Sequence, residues 1–256
     1  MKRSLALAVL TIAFTALSSR SYAGTIVDVQ FGCTTATTTT CQVNGAASPN
    51  NTLPQTGAAV IGSANDIWNL VSPASAFTGF GSASALLDTN GNATSDSVSW
   101  TSTGEFTRGL PQDASGFDGT AYQNLMSGYL YEGGTGSIDI SGLAAGLEYQ
   151  LYIYTQGDLG GANGRQTTFT VNGGSPFATN GGIGSLPTFL FGTNYVSFDV
   201  AADGGGNINV VYSNAAGEAD VNGFQLSSTP EPGTFGLVIG AFGVGAAWMR
   251  KRSVRS

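Results

Sequence analysis

Residues 125–158 read LMSGYLYEGGTGSIDISGLAAGLEYQLYIYTQGD, and the class of fold is decided here. Tyr149, Leu151 and Ile153 alternate with Gln150, Tyr152 and Tyr154. Side chains of a strand point to opposite faces in turn, so a period of two marks a strand with one face on a core. Residues 138–146 predict a strand entering a turn, and residues 147–155 predict a core strand. Upstream, residues 121–130 predict one short helical turn.

The same period recurs outward in both directions. Val27, Val29 and Phe31 alternate with Asp28 and Gln30, and Val98 with Trp100, Phe169 with Val171, and Phe224 with Leu226 are spaced likewise. So are Val196, Phe198 and Val200, and then Ile208, Val210 and Tyr212. Asn90-Gly91, Asn172-Gly173-Gly174, Asp203-Gly204-Gly205-Gly206 and Asn222-Gly223 supply turn chemistry between them. No helical period lasts three turns. The expectation is an all-β domain over residues 24–229, an antiparallel β-sandwich of jelly-roll type, without internal linker or repeat.

Composition narrows the chemistry. Only 10% of the 256 residues are charged, against roughly 25% in ordinary soluble domains. There is no histidine, which excludes a Ser-His-Asp triad, a Cys-His pair and any His-containing metal site. The net charge of −7 conceals a partition. Seven of the nine basic residues lie in the two ends, and residues 24–229 hold fifteen carboxylates against Arg108 and Arg165, a net −13. Such a segment is repelled by nucleic acid, whose binding rests on Lys and Arg neutralising phosphates.

The ends read as addresses. Lys2 and Arg3, the apolar run from Leu5 to Leu17 and the small residues of Ser21-Tyr22-Ala23 predict a signal peptide over 1–23. Signal peptidase would cut between Ala23 and Gly24. An uncleaved anchor is the alternative, but the run is shorter than the ~17–25 residues of a span. At the other end, residues 233–249 (GTFGLVIGAFGVGAAWM) are uncharged and predict a single transmembrane helix. The tail 250–256 follows, with Arg250, Lys251 and Arg252 holding that end in the cytoplasm. Residues 24–229 are therefore expected outside the cytoplasmic membrane.

Pro230-Glu231-Pro232 stands just before the apolar run. Two prolines flanking Glu231 keep the segment out of helix and sheet, as a processing site needs; a plain stalk before a permanent anchor is the alternative. The tripeptide, the Gly-rich apolar stretch and the basic cluster together resemble the PEP-CTERM sorting signal of Gram-negative bacteria, over about residues 230–253. The resemblance implies recognition of Pro230, Glu231 and Pro232 by exosortase, an integral-membrane transpeptidase. It also implies an intermediate anchored in the inner membrane, and then release to the cell surface or extracellular matrix; because the domain between the two ends holds no catalytic constellation, a non-enzymatic protein is expected. The expected role is structural or adhesive, in exopolysaccharide or biofilm. The stretch 125–158, with TTFTVNG and VNGFQL further on, is similar to the galactose-binding-like jelly rolls common in that family.

Candidate chemistry within the domain is sparse. Cys33 and Cys41 flank TTATTTT and, in an oxidising compartment, are expected to close a small loop; free thiols or a metal pair are the alternatives. Asp88, Asn90 and Asn92, with Asp96 downstream, place oxygen ligands as weak calcium loops do, although Asn90-Gly91 is also an ordinary hairpin turn. Asp203 with Asn207 is a poorer copy. Beyond this calcium loop no cofactor is expected. Tyr152 and Tyr154 share one strand face and offer rings for glycan binding, as do Tyr122, Tyr129 and Tyr131 in a Gly-rich region. A carbohydrate-binding module is therefore the alternative function. A glycosidase would need paired carboxylates such as Asp113 with Asp118, or Glu148 with Asp158. The Gly-rich segment 157–164 precedes a strand, so it lacks the helix N-terminus of a phosphate cradle.

Overall fold

Alternating apolar residues, each needing a partner layer, are met in this computed structural model by two packed sheets. The structure describes residues 24–32, 54–72, 79–107, 116–157, 165–180 and 187–228. Residues 1–23, Cys33, Cys41, Asp113, Asp158 and residues 230–256 lie outside the described residues. The expected signal peptide, disulfide, sorting motif and transmembrane helix all fall there. Among the described residues no helix is long and apolar enough to cross a membrane.

The first sheet contains β1 (Ile26–Phe31), β2 (Asn69–Val71), β8 (Glu148–Tyr154), β11 (Tyr195–Ala201) and β14 (Gly223–Ser228). Their spatial order is β11-β8-β14-β1-β2, antiparallel except for β1 with β2. The second sheet contains β3 (Phe80–Ala83), β4 (Ser97–Thr101), β7 (Thr135–Ser141), β9 (Gln166–Val171), β10 (Phe177–Ala178) and β12 (Ile208–Ala216). It is wholly antiparallel in the order β10-β9-β12-β7-β4-β3. A small third sheet, formed by β5 (Gly104–Thr107), β6 (Gly128–Glu132) and β13 (Ala219–Val221), has β6 at its centre.

The apolar half of each alternation fills the space between the two large sheets. Val27, Val29, Leu151, Ile153, Phe224 and Leu226 of the five-stranded sheet join one core with Val98, Trp100, Ile138, Ile140, Phe169 and Val210 of the six-stranded sheet. Phe31 meets Trp100 edge-on across the sandwich, with ring centroids 5.2 Å apart. Each such fully buried side chain stabilises the fold by about 1.5–3 kcal/mol. The all-β sandwich expected from the sequence is therefore present in the described residues.

Two local expectations shift. The strand expected over 138–146 is β7, which begins earlier and stops at Ser141, where Gly142 takes φ +84°. The helical turn expected over 121–130 is a chain of separate turns up to Ser127, and Gly128 already opens β6. Its bonds mostly span three residues, as from Thr120 N–H to Phe117 O, with one four-residue bond from Met126 N–H to Tyr122 O. The cause is packing: Phe117, Leu125 and Met126 all turn inward in a second hydrophobic cluster.

Candidate functional site

Polar residues of β1, β8, β11 and β14 point away from the core, on the outer face of the five-stranded sheet. Cross-strand register places Asp28 beside Gln225, Gln225 beside Tyr152, and Tyr154 beside Tyr195. Half of this face is not solvated. Residues 54–68, 116–127 and 187–195 lie over it and cover Asp28, Gln30, Gln225 and Tyr154 completely.

Three glutamines tie this cap to the sheet. Gln225 Nε2 donates to Asp28 Oδ1 at 3.0 Å and to Ile61 O at 3.2 Å, while its Oε1 accepts from Ile61 N–H and from the Tyr154 hydroxyl. Gln30 Oε1 accepts from Gln55 N–H at 2.8 Å, and its Nε2 donates to Asn124 O at 2.7 Å. Gln55 then bonds Leu125 N–H and Ala121 O, joining the first two cap segments. Rings complete the cover, since Phe189 lies 4.9 Å from Tyr154, 4.7 Å from Tyr122 and 5.1 Å from Phe117.

Asp28 is the electrostatic anomaly of this interior. Its Oδ2 is buried without a hydrogen-bond partner. Burial pushes its carboxyl up to about 7, against a smaller lowering by Gln225 and with the nearby Asp66 adding to the rise. Asp66 itself is held by Ser63, whose N–H and hydroxyl donate to it at 2.7 and 2.6 Å.

The two tyrosines chosen from the sequence thus part company. They do share a face, but Tyr154 is fully buried, with its ring against Trp68 and Phe189, so it offers no exposed platform. Tyr152 sits at the margin of the cap, half-buried, and donates to Gln150 Oε1 at 3.3 Å. Beyond it the face is open: Gln150, Ser197 and Asp199 are exposed and Ser227 half-exposed, all brought to one side by register. Of the other tyrosines, Tyr122 belongs to the cap and Tyr129 is buried, its hydroxyl accepting from Arg165 at 2.9 Å. Arg165 also pairs with Glu218 at 2.9 Å and with Asp220 at 3.4 Å.

The calcium-like spacing resolves into a turn. Asp88 Oδ1 accepts from Asn90 N–H at 2.9 Å and Asn92 N–H at 2.8 Å, and Asn92 Nδ2 donates to Oδ2 at 3.0 Å. Slight burial pushes the Asp88 carboxyl up, but the donors from Asn92, Asn90 and Gly91 outweigh it and leave it below its usual value. Asp203 repeats the geometry with Gly205 and Asn207 N–H at 2.8 and 2.9 Å. Asp96 is not gathered into this turn; it interacts with Tyr149. Burial raises its carboxyl to about 6. Among the described residues no group of three or more His, Cys, Asp or Glu side chains stands ready for a metal. Of the proposed acid pairs, Asp118 lies in the cap and Glu148 is exposed at the start of β8.

Solved structures that match part of this chain include two family 35 carbohydrate-binding modules. One is from Cellvibrio japonicus Abf62, 18% identical, covering 39% of this chain and 72% of its own, with a TM-score of 0.29. The other is from Clostridium thermocellum, 19% identical, covering 36% and 70%, with a TM-score of 0.26. The plant receptor-like kinase FER is 14% identical over 80% of this chain, which spans 42% of that structure, with a TM-score of 0.40. No protein-family model and no curated protein matches the chain. At these scores the neighbours assign no residue, ligand or activity to it.

Proposed function

We propose that the chain is an exported, non-enzymatic protein of the cell surface or extracellular matrix of a Gram-negative bacterium, sorted by exosortase through residues 230–256. The observation that carries this reading is an order of parts. β14 ends at Ser228, and Pro230-Glu231-Pro232, the uncharged run 233–249 and Arg250-Lys251-Arg252 follow without interruption. Signal peptidase removes 1–23, the apolar run holds the intermediate in the inner membrane, and exosortase acts at the motif. The released sandwich, strongly acidic and therefore well hydrated, has a structural or adhesive role in exopolysaccharide or biofilm. Mass spectrometry of the protein recovered from the cell surface tests this. A C-terminus near residues 230–232 is expected, and intact residues 233–256 on the surface protein would overturn the processing step.

A second reading, carbohydrate binding, is favoured by the open half of the outer face. Tyr152 offers a ring edge beside Gln150, Ser197, Asp199 and Ser227, the mixture of apolar platform and few polar groups that suits a sugar. Two of the structural neighbours are carbohydrate-binding modules by name; the reading for this chain rests on Tyr152 and its surroundings. A glycan array, with and without calcium, is expected to show binding that Tyr152→Ala weakens. No binding in either condition rejects it.

A further inference from the structure

We propose that the outer face of the six-stranded sheet is a second polysaccharide-binding surface, organised around Phe80 and selective for uncharged chains, so that one domain bridges two polysaccharide strands. It rests on the carbohydrate-binding reading above and extends it to the other sheet.

Phe80 is the most exposed of the large apolar side chains described, at 53%. Its exposure is enforced by its neighbours. A Cβ on Gly79, where φ is +56°, would lie 1.6 Å from Ser102 O, and one on Gly81 would lie 2.3 Å from the Trp100 ring. The edge strand β3 thus runs close beside β4, with the Trp100 ring, 2% exposed, filling the core side across from Gly81 and Phe80 paired with Thr101. The Phe80 ring has only the outward side left. Three large aromatic or aliphatic side chains elsewhere are comparably exposed, but Leu190 and Phe191 adjoin the aromatic cap cluster and Ile67 lies over the Asp88 turn. Among the described residues Phe80 alone of these stands over a polar sheet.

Register shows what lies beside it. Thr101, Ser137, Val211 and Thr170 continue the row from Phe80, one on each successive strand, and the Thr101 and Ser137 hydroxyls are 3.0 Å apart. A parallel row runs through Ser82, Ser99, Asp139 and Asn209. With strands about 4.8 Å apart, the five-residue row spans about 19 Å, long enough for several sugar rings end to end. Hydroxyl and amide groups at such spacing meet sugar hydroxyls, and an exposed ring packs against the apolar C–H face of a pyranose.

Charge selects the class of polysaccharide. Residues 24–229 carry fifteen carboxylates, yet these two rows hold one, Asp139, which accepts from Asn209 Nδ2 at 2.5 Å, and no Lys or Arg. An acidic polymer gains no cation here and meets a domain of net −13, so an uncharged chain is the fitting partner.

The test uses the full-length chain in mild detergent, run in native gels containing hydroxyethylcellulose, galactomannan, dextran or, as polyanion, alginate. Phe80→Ala is expected to weaken retardation in a neutral gel about tenfold, and Phe80→Tyr to preserve it. Bridging is read as a rise in polysaccharide viscosity, which Phe80→Ala and Tyr152→Ala should each abolish while the other face still binds. Retardation of Phe80→Ala equal to the parent, in a gel where Tyr152→Ala is released, overturns the second surface and leaves the carbohydrate reading standing. Absence of retardation of the parent in every neutral gel overturns both. Retardation in alginate as strong as in a neutral gel overturns the selectivity for uncharged chains. An unchanged thermal transition for Phe80→Ala shows that the effect is not one of folding.

Discussion

Asp28 and Asp139 occupy equivalent places in the sequence, each an acidic residue between two aliphatic ones in a strand of a sandwich sheet. Asp28 is fully buried beneath the cap with one oxygen unpartnered, whereas Asp139 is half-exposed and satisfied by Asn209. The same contrast holds for the whole faces they stand on. One is sealed over half its extent by loops and three glutamines; the other is a solvated field of hydroxyls. A period of two fixes which residues leave the core, and it is silent on what meets them outside.

The largest way to probe this difference is pH. Asp28 has an unfolded-state value near 3.8 and a folded value of about 7. Between those pH values the native state keeps a proton that the unfolded chain has lost, so stability falls as pH rises, by on the order of 4 kcal/mol once above the folded value. Denaturant unfolding from pH 4 to pH 8 should show this decline, and Asp28→Asn should flatten it. Buried Glu105, raised to about 8 by burial, contributes in the same direction and will keep part of the slope.

Gln225→Ala should follow in size. It leaves Asp28, Ile61 N–H and the Tyr154 hydroxyl without their buried partner, a loss of about 3 kcal/mol. Urea midpoints for this variant and for Asn209→Ala on the open face, expected within about 0.5 kcal/mol of the parent, measure the two faces on one scale. Asp88→Ala should cost about 1 kcal/mol through the lost turn bonds. That cost should be the same with and without calcium, checked by thermal melts; a calcium-dependent melt abolished by the substitution would establish Asp88 as a metal ligand. Ser137→Ala, on the solvated field, should change the melting free energy by less than about 0.5 kcal/mol.

Most strands were legible, because Val27, Leu151, Ile153, Val210 and Phe224 repeat a pattern that only a one-sided core explains. The cap was not legible, because its contacts join segments distant in sequence: Gln225 reaches Ile61 across 164 residues, and Gln30 reaches Asn124 across 94. One signal was available. Trp68, Phe117, Tyr122 and Phe189 lie in stretches without strand periodicity, and large rings there need a surface to cover. The spacing of Asp88, Asn90 and Asn92 reads two ways in the sequence, since a tight turn and a calcium loop ask for the same oxygen-rich residues at the same intervals.

By itself the sequence determined the all-β class, the core residues and the acidic character of the domain, since these follow from residue type and local periodicity. It also carries Pro230-Glu231-Pro232, the uncharged run after it and the basic cluster, which lie along the chain and need no fold to be read. Tertiary structure alone decided which polar residues are buried. It turned Tyr154 from a surface ring into a core one and left Tyr152 and Phe80 outside, because burial depends on where distant loops come to rest.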